Sequence, residues 1–198
     1  FSFNSPYGAC QACTGLGEQY KADIQKIIPD RSKSIQEEGI KPFGAVRDNS
    51  TFKQIRKIAE EFKFSLTTPV DNIPEKALQI MLYGGDQSFG KVFFNTTNEY
   101  LYDLGQEGIA NMVERWYRES SSEKIRSWAE EFLSIVKCPE CEGFRLKKES
   151  LHFKLGSKHI GHLAEMNIDE LYDWVSELPV YMDDKQKVVS QEILKEIK

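Results

Sequence analysis

The chain's four cysteines fall in two copies of one word, Cys10-Gln11-Ala12-Cys13-Thr14-Gly15 and Cys138-Pro139-Glu140-Cys141-Glu142-Gly143. Each reads C-x-x-C-x-G. A C-x-x-C turn lets both sulfurs face one ion while backbone N–H groups donate to the thiolates. Two such pairs supply the four soft ligands of a tetrahedral structural zinc site. The glycine two places after each second cysteine suits a backbone of positive φ as the chain leaves the turn. Iron–sulfur ligation uses similar donors, a redox dithiol needs only one pair, and inert thiols need no partner. The spacing favours one zinc ion on Cys10, Cys13, Cys138 and Cys141.

Between Cys13 and Cys138 lie 124 residues, the length of a domain. Closing a flexible loop of 124 residues costs roughly 1.6 kcal/mol more than closing one of about 20. A structural zinc site in small peptides is worth about 10–16 kcal/mol. The distance is therefore no obstacle, and it costs less if the intervening segment folds with its ends adjacent. The sequence predicts a pair of knuckles interrupted by an inserted domain, with joints near residues 18–20 and 134–137.

Other chemistry is sparse. Gly85-Asp-Gln-Ser-Phe-Gly90-Lys91-Val92 approaches the phosphate-binding word G-x-x-x-x-G-K-[ST], but Val92 has no hydroxyl for magnesium. A helical pattern precedes it and a strand-like one follows, the reverse of the context that loop needs. His159 and His162 have metal-like spacing without a local carboxylate or cysteine, and read as surface or loop histidines. His152 reads as solvent-facing. No nucleophile–base set stands out. From Arg145 to His159 there are five Lys or Arg against Glu149 alone, so Arg145, Lys147 and Lys148 are candidates for phosphate contact on a basic strand. Weaker basic patches gather Arg47, Lys53, Arg56 and Lys57, and Arg115, Arg118 and Arg126. Phe93, Phe94, Tyr100 and Tyr102 could stack on bases or fill a hairpin core.

The net charge of −5 argues against indiscriminate coating of nucleic acid. No apolar run approaches the roughly 18 residues of a membrane span. Without a signal-peptide pattern, paired cysteines point to a reducing cytoplasm and metal ligation. The chain reads as a piece of a longer protein.

Apolar periodicity predicts helices over Thr51–Phe64, after Pro74 with Leu78 and Met81 up to Gly84-Gly85, and through Ile109, Met112, Val113 and Trp116. A further helix is capped near Ser121 or Ser122 and carries Ile125, Trp128, Ala129, Phe132 and Leu133. Lys91–Asn95 and Glu99–Leu104 read as a hairpin, and Leu151, Phe153 and Leu155 as a strand. Short strands and turns are expected over Tyr20–Ile40. Asn167 or Asp169 caps a helix with Leu171, Trp174, Val175 and Leu178, and a last helix starts near Asp183.

These residues closely resemble the UvrA family, the ABC-type ATPases that recognise lesions in bacterial nucleotide excision repair. The resemblance is carried at one end by the run from Phe1 to Gly17 and at the other by Cys138-Pro-Glu-Cys-Glu-Gly-Phe-Arg-Leu146. Between and beyond them stand Ile27-Ile-Pro-Asp30, Ser34-Ile35, Leu82-Tyr-Gly84, Tyr117-Arg-Glu-Ser120, Met166-Asn-Ile-Asp-Glu-Leu171 and Ile193-Leu-Lys-Glu-Ile197. It implies an α+β architecture with a mixed insertion domain over 19–133 on a four-cysteine zinc module. The module's halves are 1–18 and 134–158, a small strand–helix segment follows the module, and 159–198 is a helical segment leading to an ABC signature region. It also implies damaged double-stranded DNA as ligand, with Arg145, Lys147, Lys148, Arg118, Arg56 and Lys57 as contact candidates. UvrB and a second copy are implied partners, and ATP a cofactor, of the full-length parent only. The ATPase motifs themselves are absent from this sequence. One departure is Glu114-Arg-Trp116-Tyr-Arg118, where the family is commonly more basic. A module that binds repair proteins rather than DNA is the alternative. The word Cys10-x-x-Cys13-x-Gly15-x-Gly17 also occurs in DnaJ-type zinc repeats, but those come as four close copies.

Overall fold

The computed structural model describes residues 2–85 and 104–197. The chain divides into two compact units, Tyr20–Ile135 and Phe1–Gln19 joined with Val136–Lys198. Strands β1 (Glu18–Ala22) and β2 (Leu133–Lys137) pair as a two-stranded sheet.

In the unit Tyr20–Ile135, Asp23 caps the short α1 (Ile24–Ile27) by accepting the Gln25 N–H. Asn49 caps α2 (Ser50–Glu61) through the Phe52 N–H at 2.9 Å. Phe52, Ile55, Ile58 and Ala59 recur at three- and four-residue spacing on α2 and are buried, the pattern of a helix packed on one face. Helix α3 (Glu75–Tyr83) starts after Pro74 and stops at Gly84, whose φ is +86°. Helices α4 (Leu104–Glu107), α5 (Ile109–Glu119) and α6 (Glu123–Glu130) follow. One hydrophobic cluster ties these elements together, with Ile27, Ile35, Phe52, Ile55, Met81, Leu104, Met112, Val113 and Phe132 among its members.

The chain on either side of residues 86–103 closes backbone to backbone. The Gly85 N–H donates to the Gly105 carbonyl at 2.6 Å, and the Leu104 N–H to Oε1 of the buried Gln54 at 2.7 Å. A Cβ on Gly84 would lie 2.0 Å from the Gln106 oxygen, and one on Gly108 2.4 Å from the Gly84 nitrogen. Only glycine allows that approach. The phosphate-loop look-alike beyond Gly85 and the hairpin lie outside the described residues, except that Leu104 opens α4 instead of closing a strand.

In the other unit, α7 (Lys148–Leu151) precedes β3 (Lys154–Leu155). β3 pairs antiparallel with β4 (Lys158–His159) in the register Lys154 opposite His159 and Leu155 opposite Lys158. Helices α8 (Ile160–Glu165), α9 (Ile168–Glu177) and α10 (Asp184–Ile197) complete it. Asn167 and Glu170 form a reciprocal capping box at the start of α9.

Three expectations are corrected. The strand over Leu151–Leu155 is a helical turn, Lys148–Leu151, followed by the two paired residues Lys154 and Leu155. Lys148 accordingly opens a helical turn, not a basic strand. The helix through Trp128 ends at Glu130, and Leu133 starts β2. Fold class stands as α+β: helices with two small sheets.

Candidate metal centre

Cys10, Cys13, Cys138 and Cys141 are all buried, and together they form a cluster of their own. Their sulfurs lie within 4.8 Å of one another. Cys10 and Cys138 are 4.0 Å apart, and Cys13 and Cys141 3.7 Å. These separations are far beyond a disulfide bond. They match the edge of about 3.8 Å that a tetrahedron of sulfurs has when each metal–sulfur distance is about 2.3 Å.

The two knuckles repeat each other residue by residue. After the second cysteine, Thr14, Gly15 and Gly17 have φ of +50°, +81° and +84°; Glu142, Gly143 and Arg145 have +52°, +90° and +68°. This winding turns N–H groups toward sulfur. The Gly17 N–H donates to the Cys13 sulfur at 3.2 Å, and the Arg145 and Gly143 N–H groups act on Cys141 in the same way. The knuckles also hold each other. The Cys10 N–H donates to the Arg145 carbonyl and the Cys138 N–H to the Gly17 carbonyl, both at 2.9 Å. A bridge between Ala9 and Leu146 and the Lys147 N–H to the Gly8 carbonyl extend the contact.

Burial pushes the Cys141 thiol up to about 12, against the pull of the Arg145 and Gly143 N–H groups. Burial also raises Cys10. At Cys13 burial acts upward, but the Gly17 N–H and the neighbouring thiols outweigh it and the net shift is down. Without a cation burial therefore favours the protonated thiols of Cys141 and Cys10, and a thiolate-binding dication has to displace those protons. The donor set fits such an ion: four buried sulfurs, backbone N–H donors aimed at them, and spacing of a tetrahedral edge.

The basic candidates are placed as follows. The Arg145 Nε donates to the Gly15 carbonyl at 2.7 Å, and its guanidinium lies 4.4 Å over the Phe3 ring. Its side chain is thus engaged in the first knuckle. Lys148 pairs with Glu140 at 3.3 Å, both ends exposed. Lys147 is half-buried. In the other unit Arg56 and Lys57 are exposed on α2, and Arg118 on α5 pairs with Glu119 at 3.3 Å.

Two features escape sequence reading. Gln19 donates to the Cys138 sulfur at 3.6 Å and to the Ala12 carbonyl at 2.6 Å, and nothing in the sequence marks it. His159 and His162 are not loose surface groups. Each Nδ1 accepts the other's backbone N–H, and the rings stack at 3.6 Å beside Phe144. Their i, i+3 spacing is that of a capping box, the signal that would have found them.

Four clustered cysteines that could hold a metal ion, brought together from two segments that flank a separate compact unit, make a split four-cysteine knuckle. The model of the UvrA DNA-binding domain matches residues 23–131, more than half of the chain, and the chain belongs to that family. It is 36% identical over 201 residues to the UvrABC system protein A of Clostridium acetobutylicum and 34% over 200 residues to that of Methanothermobacter thermautotrophicus. Both alignments cover 100% of the chain and 21% of the relative. The chain thus spans about a fifth of the length of the curated relatives it matches. The fold resembles the crystal structure of UvrA2 from Deinococcus radiodurans with a TM-score of 0.64 at 19% identity, over 100% of this chain and 26% of that one. Among the described residues no helix is long and apolar enough to cross a membrane.

Proposed function

We propose that the chain is a DNA-contacting module of the damage-recognition subunit of nucleotide excision repair, with one structural zinc ion on Cys10, Cys13, Cys138 and Cys141. The observation that carries this reading is the sulfur quartet, gathered from the two ends of a unit that the UvrA DNA-binding domain model covers. The zinc would cross-link the two knuckles without supplying a reactive site. Residues 19–133 act as the insertion domain, 1–18 with 134–158 as the zinc module, and 159–198 as the lead into the ATPase signature region.

The protein's part in recognition is positional. The reciprocal Cys10–Arg145 and Cys138–Gly17 hydrogen bonds fix where the chain leaves and re-enters the zinc module. ATP binding, pairing with a second copy and handover to UvrB belong to the whole protein in this reading. Phosphate contact falls to Lys147 and Lys148 beside the second knuckle and to Arg56, Lys57 and Arg118. Arg145, committed to Gly15 and Phe3, serves the knuckle first.

Elemental analysis of the reduced chain is expected to give about one zinc per chain. Charge reversal of Lys147 and Lys148 in the full-length protein is expected to weaken DNA binding and flatten its salt dependence. Zinc below half an equivalent, or unchanged affinity across a salt series, overturns the respective half of the proposal.

A second reading, a protein-binding module, is favoured by one observation. Ile168, Val180, Tyr181, Val188 and Val189 are largely exposed around α9 and α10. Such a face more often meets protein than DNA. Binding of the chain to UvrB but not to DNA would favour it.

A further inference from the structure

The unit Tyr20–Ile135 carries a groove of about 510 Å3 that, of the basic candidates above, only Arg47 lines. Trp116 on α5 and Trp128 on α6 line it, their ring centroids 5.5 Å apart and their planes tilted by 53°. Trp128 is in turn held edge-on by Phe132 at 5.2 Å, so its ring is braced from within the unit. Both indoles are half-buried. Lys41, Pro42, Phe43, Gly44 and Arg47 also line the groove, as does Lys124 on α6.

The groove's charge departs from that of the chain. Lys41, Arg47 and Lys124 are exposed cations, and no Asp or Glu is among its described lining residues. This occurs in a chain of net charge −5. Asp48, next to Arg47, is turned to Lys53 at 3.6 Å. Braced indoles select a flat π-surface, and three cations select an anion. One ligand class joins both: a nucleotide, whose base stacks on aromatic side chains and whose phosphates meet Lys and Arg. The volume is that of a small-ligand site, suited to a single residue of a strand and too small for a duplex.

We infer that this groove docks one unstacked nucleotide of a DNA strand, with its base against Trp116 and Trp128 and its phosphates on Lys41, Arg47 and Lys124. The assignment rests on the DNA-contacting reading above, and it adds a place where a locally opened strand is held. Distorted duplexes release such a nucleotide at lower cost than intact ones.

The test uses the whole chain with Trp174→Phe, so that only the two groove indoles fluoresce. Titration with hexathymidylate is expected to quench them saturably. The Lys41→Gln, Arg47→Gln, Lys124→Gln triple variant, which removes exposed charges only, is expected to bind roughly ten-fold or more weakly, with a log K against log salt slope shallower by about 2. Anisotropy of a labelled duplex is measured in parallel. Duplex binding without quenching, or quenching that the triple variant leaves unchanged, overturns the groove and leaves the DNA-contacting reading standing. Quenching by hexathymidylate without duplex binding supports the groove and overturns duplex contact by this chain. Binding of neither overturns both. Hexaglutamate quenching as strongly as hexathymidylate overturns the nucleotide assignment in favour of an acidic peptide.

Discussion

Gly17 and Arg145 hold the same station in the two knuckles. Each has a positive φ, +84° and +68°, and each carbonyl accepts the N–H of the other knuckle's first cysteine at 2.9 Å. The same turn thus uses glycine once and arginine once. A Cβ at Gly17 would stand 2.7 Å from the Gly143 oxygen and 2.8 Å from the Arg145 Cγ. At Arg145 the backbone cost is offset by the bond to Gly15 and the cation over Phe3.

This asymmetry orders three variants. Gly17→Ala is expected to be the most damaging, since it adds a clash to a left-handed backbone cost of about 1–2 kcal/mol. Arg145→Ala and Arg145→Gly lose the same side-chain contacts, but glycine relieves the backbone. Arg145→Gly should therefore be the more stable of the two by about 1 kcal/mol. Urea unfolding of metal-loaded protein checks the order. Equal stability of the two Arg145 variants would show that the backbone at this position is not strained.

Metal removal is expected to act unevenly. The knuckles bury a cluster made of the four cysteines themselves, whereas Tyr20–Ile135 has an aliphatic and aromatic core. A metal present at 1,000 times its Kd contributes about 4 kcal/mol. Chelation, or Cys141→Ser, should therefore collapse amide protection around residues 8–17 and 138–146 while α2, α3 and α5 keep theirs. Because burial holds Cys141 up near 12, loading at neutral pH should release protons, and acid should favour metal loss. Hydrogen exchange and an indicator-dye titration measure the two effects.

The cysteine words were legible because a metal site needs particular residue types at particular short spacings. Helices α2, α3, α5 and α9 were legible because their apolar residues recur with helical period, and the starts of α3 and α9 are marked by Pro74 and Asn167. The stretch from Arg145 to Leu155 was not. Its alternation suits a strand, but a strand forms only where a partner edge exists, and here one knuckle carbonyl and a helical turn take up the backbone. The role of Arg145 was hidden for a similar reason: positive φ at a non-glycine residue leaves no mark in composition. The groove at Trp116 and Trp128 was invisible because its cations come from the separate positions 41, 47 and 124, of which only Arg47 stands in a basic patch of the sequence.

Asp23 and Ser134 bind the incoming and outgoing strands of the unit Tyr20–Ile135. The Ser134 hydroxyl donates to the Asp23 carboxylate at 2.6 Å, and the Asp23 N–H donates to the Phe132 carbonyl. The Ser134 hydroxyl first, with the Gln25 and Lys26 N–H groups and the Lys26 charge, holds Asp23 below its usual value against a smaller opposing effect of burial. A depressed carboxylate stabilises the fold above the unfolded value of about 3.9, and that contribution is lost as pH falls through the lower folded value. Asp23→Ala is expected to cost about 1–2 kcal/mol at pH 7 through the lost cap and bond. The gap from wild type should narrow in strong acid. A gap that does not change with pH would mean the hydroxyl, not the charge, supplies the effect.

The histidine pair predicts a second pH dependence of the same sign but in a milder range. Both Nδ1 atoms accept backbone N–H groups, and at His159 that bond requires the ring to carry its proton on Nε2 and to be neutral. Burial, then the neighbouring His162 and Lys154, holds His159 below its ordinary value, with Glu165 opposing. Its folded value lies below the unfolded one of about 6.5. Stability is therefore full above that pH and declines as pH falls toward the folded value, because the unfolded chain takes up the proton first. Protonation of His159 at Nδ1 would also remove the acceptor of the His162 N–H. Amides at the start of α8 should exchange faster at pH 5.5 than at pH 7.5 once intrinsic rates are corrected. His159→Asn, which keeps a capping acceptor that does not titrate, should remove most of that difference. If it persists in the variant, protonation elsewhere opens α8 and the stacked pair is only a structural cap.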